Sequence, residues 1–216
     1  MKVGVCISTV NEVETIGPLV KALDEKGYHI YVVDASTDDT WRVANDAGAT
    51  VNVLPAPLGI SKQVRMAWEM ALKQDCDVIV QMDAGGSHDP EDAPKLIRAI
   101  ADADMVLGSR FCAGAQYLGN SQRAFLSRLA TKLCNLKKGT HFTDWTSGYR
   151  AFTRDALAAL VTRKYVAQMH GFQIEVLDWA LTMQLRIVEV PIVYTAGRSS
   201  FNSRVAREAV KVWVQI

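Results

Sequence analysis

The chain predicts an α/β fold, a mostly parallel sheet flanked by helices, and three observations carry that expectation. Short apolar runs alternate with stretches of helical period along the first half of the chain. The runs are continuously hydrophobic, as strands are when helices cover both faces of a sheet. Three of them end in small, polar and acidic residues, where such sheets place their ligands.

Residues 3–7 form the first run, and residues 16–23 repeat apolar positions with a helix period. Runs at residues 30–33, 51–54 and 78–82 are the next strands, with helical patterns at 41–47 and 64–72 between them. Asp89-Pro90-Glu91-Asp92 reads as a helix N-cap, a proline in the first turn and acids beside the positive helix end. That helix should run to about residue 100, followed by a short strand at 105–107. Beyond Gly108 the alternation loosens into a glycine-rich loop, a basic helix near 122–136, a segment at 143–152, a helix near 172–182 and a strand at 187–193. From Ser203 an amphipathic helix is expected. Val205, Ala209, Val212 and Ile216 fall on one side, with Arg204, Arg207 and Lys211 roughly opposite. Packing onto the domain is preferred to membrane contact for this tail.

The chain has 216 residues and fits one compact domain spanning 1–216, with no internal repeat, linker or low-complexity tract. Lys and Arg total 24 against 23 Asp and Glu, so bulk charge gives no signal for nucleic acid. Any electrostatic function is therefore local. Cys6, Cys76, Cys112 and Cys134 are scattered and lack zinc spacing, which fits free thiols in a reducing cytoplasm. No apolar stretch approaches the ~20 residues of a membrane span, so the protein should be soluble, or at most peripheral at the membrane surface.

Asp83 ends the run Val78-Ile79-Val80-Gln81-Met82, where its carboxylate would project into a cleft. It can hold a divalent ion on a diphosphate, and spacing alone leaves a loop-capping role equally open. Other strings stand in order around it: Thr9, Asn11 and Glu12 after the first strand, and Asp34-Ala35-Ser36-Thr37-Asp38-Asp39 after the second. Leu58-Gly59 is followed by Lys62 and Arg65, and Asp83-Ala84-Gly85-Gly86-Ser87-His88-Asp89-Pro90 by Gly108-Ser109-Arg110. Arg123 with Ser127, then Asp144-Trp145-Thr146-Ser147-Gly148-Tyr149-Arg150, and finally Arg198 to Arg204 complete the series.

Together these strings resemble family 2 glycosyltransferases over nearly the whole chain, particularly the dolichyl- and polyprenyl-phosphate mannosyl- and glucosyltransferases. The resemblance implies a GT-A, Rossmann-like fold and sugar transfer from a GDP-mannose or UDP-glucose type donor to polyprenyl or dolichyl phosphate, with inversion. It implies a Mg2+ or Mn2+ cofactor held by Asp83, with Asp89 as a second ligand. Thr9, Asn11, Glu12, Asp34 and Ser36 are implied to hold the nucleotide, and Lys62, Arg110, Arg123 and Arg204 its phosphates or those of the acceptor. Arg198 would stabilise the leaving group. Asp144 would act as general base for a hydroxyl acceptor, whereas an ionised phosphate needs none and leaves it a positioning role.

One departure stands out: Gly85 replaces the family's second metal-binding aspartate. The shell must then be completed by Asp89, Ser87, water or donor phosphates, with His88 less suited because these ions favour oxygen. Soluble hydroxyl, protein or modified nucleobase acceptors, and a non-catalytic nucleotide-sugar binder, are the alternatives. A separate membrane-anchoring subunit would fit the absence of apolar spans.

Overall fold

The fold is described from a computed structural model covering residues 1–196 and 203–216, without the side chains of 203–206 and 209. Strands β1 (Val3–Thr9), β2 (His29–Asp34), β3 (Thr50–Val53) and β4 (Val78–Asp83) alternate with helices α1 (Val13–Asp24), α2 (Thr40–Asp46) and α3 (Ile60–Lys73). A short 3-10 turn, Pro90–Asp92, leads into α4 (Ala93–Ala99), then come β5 (Met105–Ser109), β6 (Gln116–Leu118) and α5 (Ser121–Lys138). The chain continues through β7 (Arg150–Thr153), α6 (Arg154–Val161), α7 (Phe172–Thr182), β8 (Ile187–Pro191), β9 (Val193–Thr195) and α8 (Ser203–Gln215).

Seven strands form one sheet in the order β3-β2-β1-β4-β7-β5-β8, and every pairing except those of β7 is parallel. The expected α/β architecture is thus present, with one antiparallel strand inserted between β4 and β5. Side chains alternate between faces with the strand period of two. Val5 and Ile7 of β1 join Ile16, Val20 and Leu23 of α1 on one face, while Cys6 joins Trp68 of α3 on the other. Trp68 is fully buried with its ring centroid 5.5 Å from both Phe152 and Phe172, so it ties α3 to β7 and α7. Truncating such a side chain costs about 3–5 kcal/mol.

Local signals account for several boundaries. The Asn120 side chain accepts from the Gln122 N–H at 2.7 Å and starts α5. Gly139 ends that helix in the left-handed conformation (φ 65°), where a Cβ would be strained. The strand expected at 187–193 divides instead. The Ile192 N–H still donates to the Ser109 carbonyl of β5 at 3.1 Å, with Pro191 tolerated at the sheet edge, and Val193–Thr195 then turns away to pair with β6 in a separate two-stranded sheet. The segment 143–152 ends in β7, and α6 follows it directly, with the Thr153 hydroxyl capping the Ala156 N–H.

At the carboxyl end of the chain Val212 is fully buried and Ile216 packs against the same core, as the packing reading of the tail expects. The Glu208 carboxylate accepts from the N–H groups of Gln168, Met169 and Gly171, which fastens α8 to the loop before α7. Among the described residues no helix is long and apolar enough to cross a membrane.

Candidate active site at the strand ends

The carboxyl ends of β1 and β4 open into a cleft of about 860 Å³, in the size range of small-molecule sites. Thr9, Asn11 and Glu12 line one side, Asp83 and His88 the floor, and Arg110 and Arg123 the far wall. Parallel pairing puts Ser8 opposite Asp83, so the first and fourth strand ends meet here.

The β1 end is held by a polar strap. Asn11 adopts a left-handed backbone (φ 56°); its N–H donates to Ser36 Oγ at 2.7 Å, and its Oδ1 accepts from the Thr37 N–H at 2.9 Å. The Ser36 hydroxyl donates to Asp34 Oδ1 at 2.5 Å, and its N–H to Oδ2 at 3.2 Å. Asp34 is fully buried, and neither it nor Ser36 lines the cleft. These two residues brace the β1–β2 turn from behind, while Thr9 and Asn11 face the open space. Thr9 is buried and its hydroxyl has no partner among the described residues.

Asp83 keeps 57% of its side chain exposed. His88, buried beneath it, accepts the Asp83 backbone N–H at Nδ1 (3.0 Å), so the neutral ring carries its proton on Nε2, 3.8 Å from Asp83 Oδ2. Burial lowers the His88 pKa and outweighs the opposing pull of the Asp83 charge, so the ring is neutral at pH 7. It orients Asp83 and offers no free lone pair to a metal. His88 also stacks on Tyr149 at 4.8 Å and contacts Tyr194, whose ring lies 5.1 Å from the Arg110 guanidinium and 5.9 Å from that of Arg123.

Asp144 is placed differently from a general base. It is fully buried and does not line the cleft. Arg110 grips it from Nε at 2.6 Å and Nη2 at 2.8 Å, and the Thr146 N–H donates to Oδ1 at 3.1 Å. Burial alone would raise the Asp144 pKa, but the Arg110 guanidinium holds it below the usual carboxylate range. The same pairing overcomes the burial cost on Arg110 and raises its pKa. A carboxylate this committed holds its arginine in place; it has no spare oxygen with which to accept a proton. Nearby Arg150, fully buried, donates to the carbonyls of Ser147 and Trp145 and so fixes the loop that carries Asp144.

The structure does not bring every expected residue to the cleft. The Asp89 carboxylate caps the 3-10 turn by accepting from the Glu91 N–H at 2.9 Å, and it does not line the cleft. Lys62 is exposed on the outer side of α3, where Ile60 and Gln63 face inward instead. Arg198 lies outside the described residues, as does the Arg204 side chain. Gln173 joins the residues that do line the cleft: it is 5% exposed, and its Oε1 has no partner among the described residues. In the sequence, Gln173 and Glu175 stand as the candidate exceptions in the run Gly171 to Leu177, which otherwise serves packing and resembles the same family.

Among the described residues no group of three His, Cys, Asp or Glu could enclose a metal. The donors that face the cleft include oxygens: the Asp83 and Glu12 carboxylates, and Gln173 Oε1 and Thr9 Oγ1, which have no partner among the described residues. Such a sparse oxygen set fits Mg2+ or Mn2+ that takes its remaining ligands from water and substrate phosphates.

A model of glycosyl transferase family 2 matches residues 4–161. Undecaprenyl-phosphate mannosyltransferase of Micrococcus luteus is 33% identical, covering 97% of this chain and 91% of its own. Polyprenol monophosphomannose synthase of Mycolicibacterium smegmatis is 30% identical over 95% of this chain and 83% of its own. The crystal structure of glucosyl-3-phosphoglycerate synthase from Mycobacterium tuberculosis, in complex with Mn2+, UDP and glucosyl-3-phosphoglycerate, superposes with a TM-score of 0.73 at 21% identity. It covers 98% of this chain and 77% of that one. The fold is the GT-A arrangement expected above.

Proposed function

We propose that this chain, which belongs to glycosyl transferase family 2, moves a hexosyl group from a GDP-mannose or UDP-glucose type donor to a polyprenyl phosphate. The observation that carries this reading is the cleft itself. It sets an exposed carboxylate, Asp83, between the β1 end and a wall bearing two arginines, in a chain related to enzymes named for polyprenyl phosphates.

Asp83 and the Gln173 amide oxygen would hold the divalent cation, which when bound offsets the charge developing on the departing diphosphate. His88 keeps Asp83 aimed into the cleft. Thr9 and Asn11 face the nucleotide with unspent polar atoms and a fixed backbone. Arg110, locked by Asp144, and Arg123 present guanidinium groups to phosphate oxygens. A phosphate oxygen of the acceptor attacks the anomeric carbon, the bond from that carbon to the diphosphate breaks, and the electron pair leaves with the nucleoside diphosphate. The acceptor is already ionised, so no base is needed, in keeping with the buried role of Asp144. We assign Arg198 and Arg204 to the leaving diphosphate by resemblance.

Helix α5 supports an acceptor at a lipid surface. It carries Arg123, Arg128, Lys132, Lys137 and Lys138 with no acid, and Leu126, Leu129, Leu133 and Leu136 are exposed along it. Basic residues beside exposed apolar ones suit peripheral binding to anionic membranes. A membrane-anchoring subunit would seat on the same face.

Incubation with radiolabelled GDP-mannose or UDP-glucose, Mn2+ and polyprenyl phosphate in anionic vesicles should move label into the organic-extractable fraction. Label that stays aqueous with every donor, while thermal shift reports nucleotide binding, would favour a non-catalytic binder. Label appearing on a soluble acceptor instead would overturn the lipid assignment.

A further inference from the structure

Position 85 has no side chain, yet the space above it is filled. A Cβ built on Gly85 would stand 3.0 Å from Glu12 Oε1, 3.4 Å from its Cδ and 3.5 Å from Oε2. Contacts that tight would make the Glu12 tip give by a few tenths of an ångström, so glycine at 85 leaves the Glu12 carboxylate the space it occupies. Glu12 reaches this point because it follows β1 four residues after Ser8, which is paired with Asp83, and Gly85 lies two residues beyond Asp83. Its backbone is fixed: the N–H donates to Thr40 Oγ1 at 3.0 Å, and the carbonyl accepts from Thr15 and Ile16 to open α1. The carboxylate itself is nearly unspent, receiving one hydrogen bond, from Thr15 Oγ1 at 3.3 Å, and no ion pair among the described residues.

A second, independent feature points into the same space. Gln173 is 5% exposed and leaves Oε1 without a partner among the described residues while lining the cleft with Glu12 and Asp83. The Gln173 and Asp83 side chains flank Gly148, where a Cβ would be 3.3 Å from Asp83 Oδ1 and 3.5 Å from Gln173 Nε2. A buried amide oxygen with no partner is costly unless a ligand satisfies it.

We infer that Glu12 supplies the second carboxylate of the divalent-cation site, in place of the one that Gly85 cannot provide. The inference rests on the cation-holding role proposed for Asp83. Two carboxylates match a dipositive ion in charge, the Gln173 oxygen adds a neutral hard donor, and water and donor phosphates complete the shell. The chain thus keeps two acids at the site by drawing one from the turn between β1 and α1 and one from the end of β4.

The test is Mn2+ titration of the protein without nucleotide, read by electron paramagnetic resonance of free Mn2+, with GDP and UDP binding measured separately in EDTA. Glu12→Gln should weaken Mn2+ binding tenfold or more, at or above the ~10–100-fold that loss of an outer-shell partner costs. Its metal-free nucleotide affinity should fall by a smaller factor than its Mn2+ affinity, because Glu12 also stands among the residues expected to meet the nucleotide. Glu12→Ala should lose Mn2+ similarly, and Glu12→Ala with Gly85→Asp should recover it, because the carboxylate returns to a vacated space. Wild-type Mn2+ affinity in Glu12→Gln beside a clear loss in Asp83→Asn overturns the inference and spares the Asp83 role. So does a Glu12→Gln defect confined to metal-free nucleotide binding. Undiminished Mn2+ binding in Asp83→Asn would instead sink the reading on which it rests.

Discussion

Asp83 and Asp144 each sit beside one basic partner close to the same cleft, and their environments are opposite. Asp144 is fully buried and spends its oxygens on Arg110 and Thr146; Asp83 is 57% exposed and meets His88 only at 3.8 Å. An acid whose lone pairs are all engaged fixes geometry, because any new ligand must first displace a charge-assisted hydrogen bond. An acid left open at a strand end is available for a ligand. The pair divides the site into a rigid wall that presents Arg110 and a floor that receives the cation.

That division can be broken at the wall first. Asp144→Ala leaves a buried guanidinium uncompensated and should cost about 3–5 kcal/mol of stability in a urea melt. A loss below ~1 kcal/mol would mean that the pair is not the brace described. Arg110→Lys retains the charge but not the two-pronged grip, and should cost about 1.5–3 kcal/mol while weakening transfer. Equal stability with lysine would contradict the fork geometry.

At the floor the comparison is sharpened by pH. Burial depresses the folded-state pKa of His88, so between the ordinary value of about 6.5 and that lower value the unfolded chain binds a proton that the folded chain refuses. Stability should therefore fall as pH drops below about 6.5. In His88→Asn, whose amide oxygen can still accept the Asp83 N–H, this loss should be shallower; an unchanged profile would clear His88 of the effect. His170 is depressed by burial too and should retain part of the slope. Asp144 acts in a separate window: its lowered pKa contributes stability that is lost only below about pH 4. The exposed pair Arg42–Asp39, outside the cleft, should be worth at most about 0.2–1 kcal/mol in a double-mutant cycle.

How far the sequence foretold these arrangements depends on whether the cause was local. Continuous apolar runs placed β1, β2 and β4 and therefore the position of Asp83, because a parallel sheet brings strand ends together. The four-residue β7 is too short to announce itself, and its antiparallel insertion between β4 and β5 is settled by packing alone. Asp144 and Arg110 lie 34 residues apart, so nothing in either string distinguishes a braced acid from a base. Asp89 teaches the reverse lesson: its Asp-Pro-Glu pattern already read as a cap, and the cap is what formed. Gly85 looked like a lost ligand, and only the folded chain reveals the Glu12 carboxylate standing over it.

The measurement that bears most directly on the division of labour is sugar transfer by Asp83→Asn, taken beside its melting temperature. Transfer should fall by about 10²–10³-fold, the cost of removing one preorganised electrostatic contact, with the melting temperature unchanged because the side chain is exposed. Transfer at the wild-type rate would contradict that division.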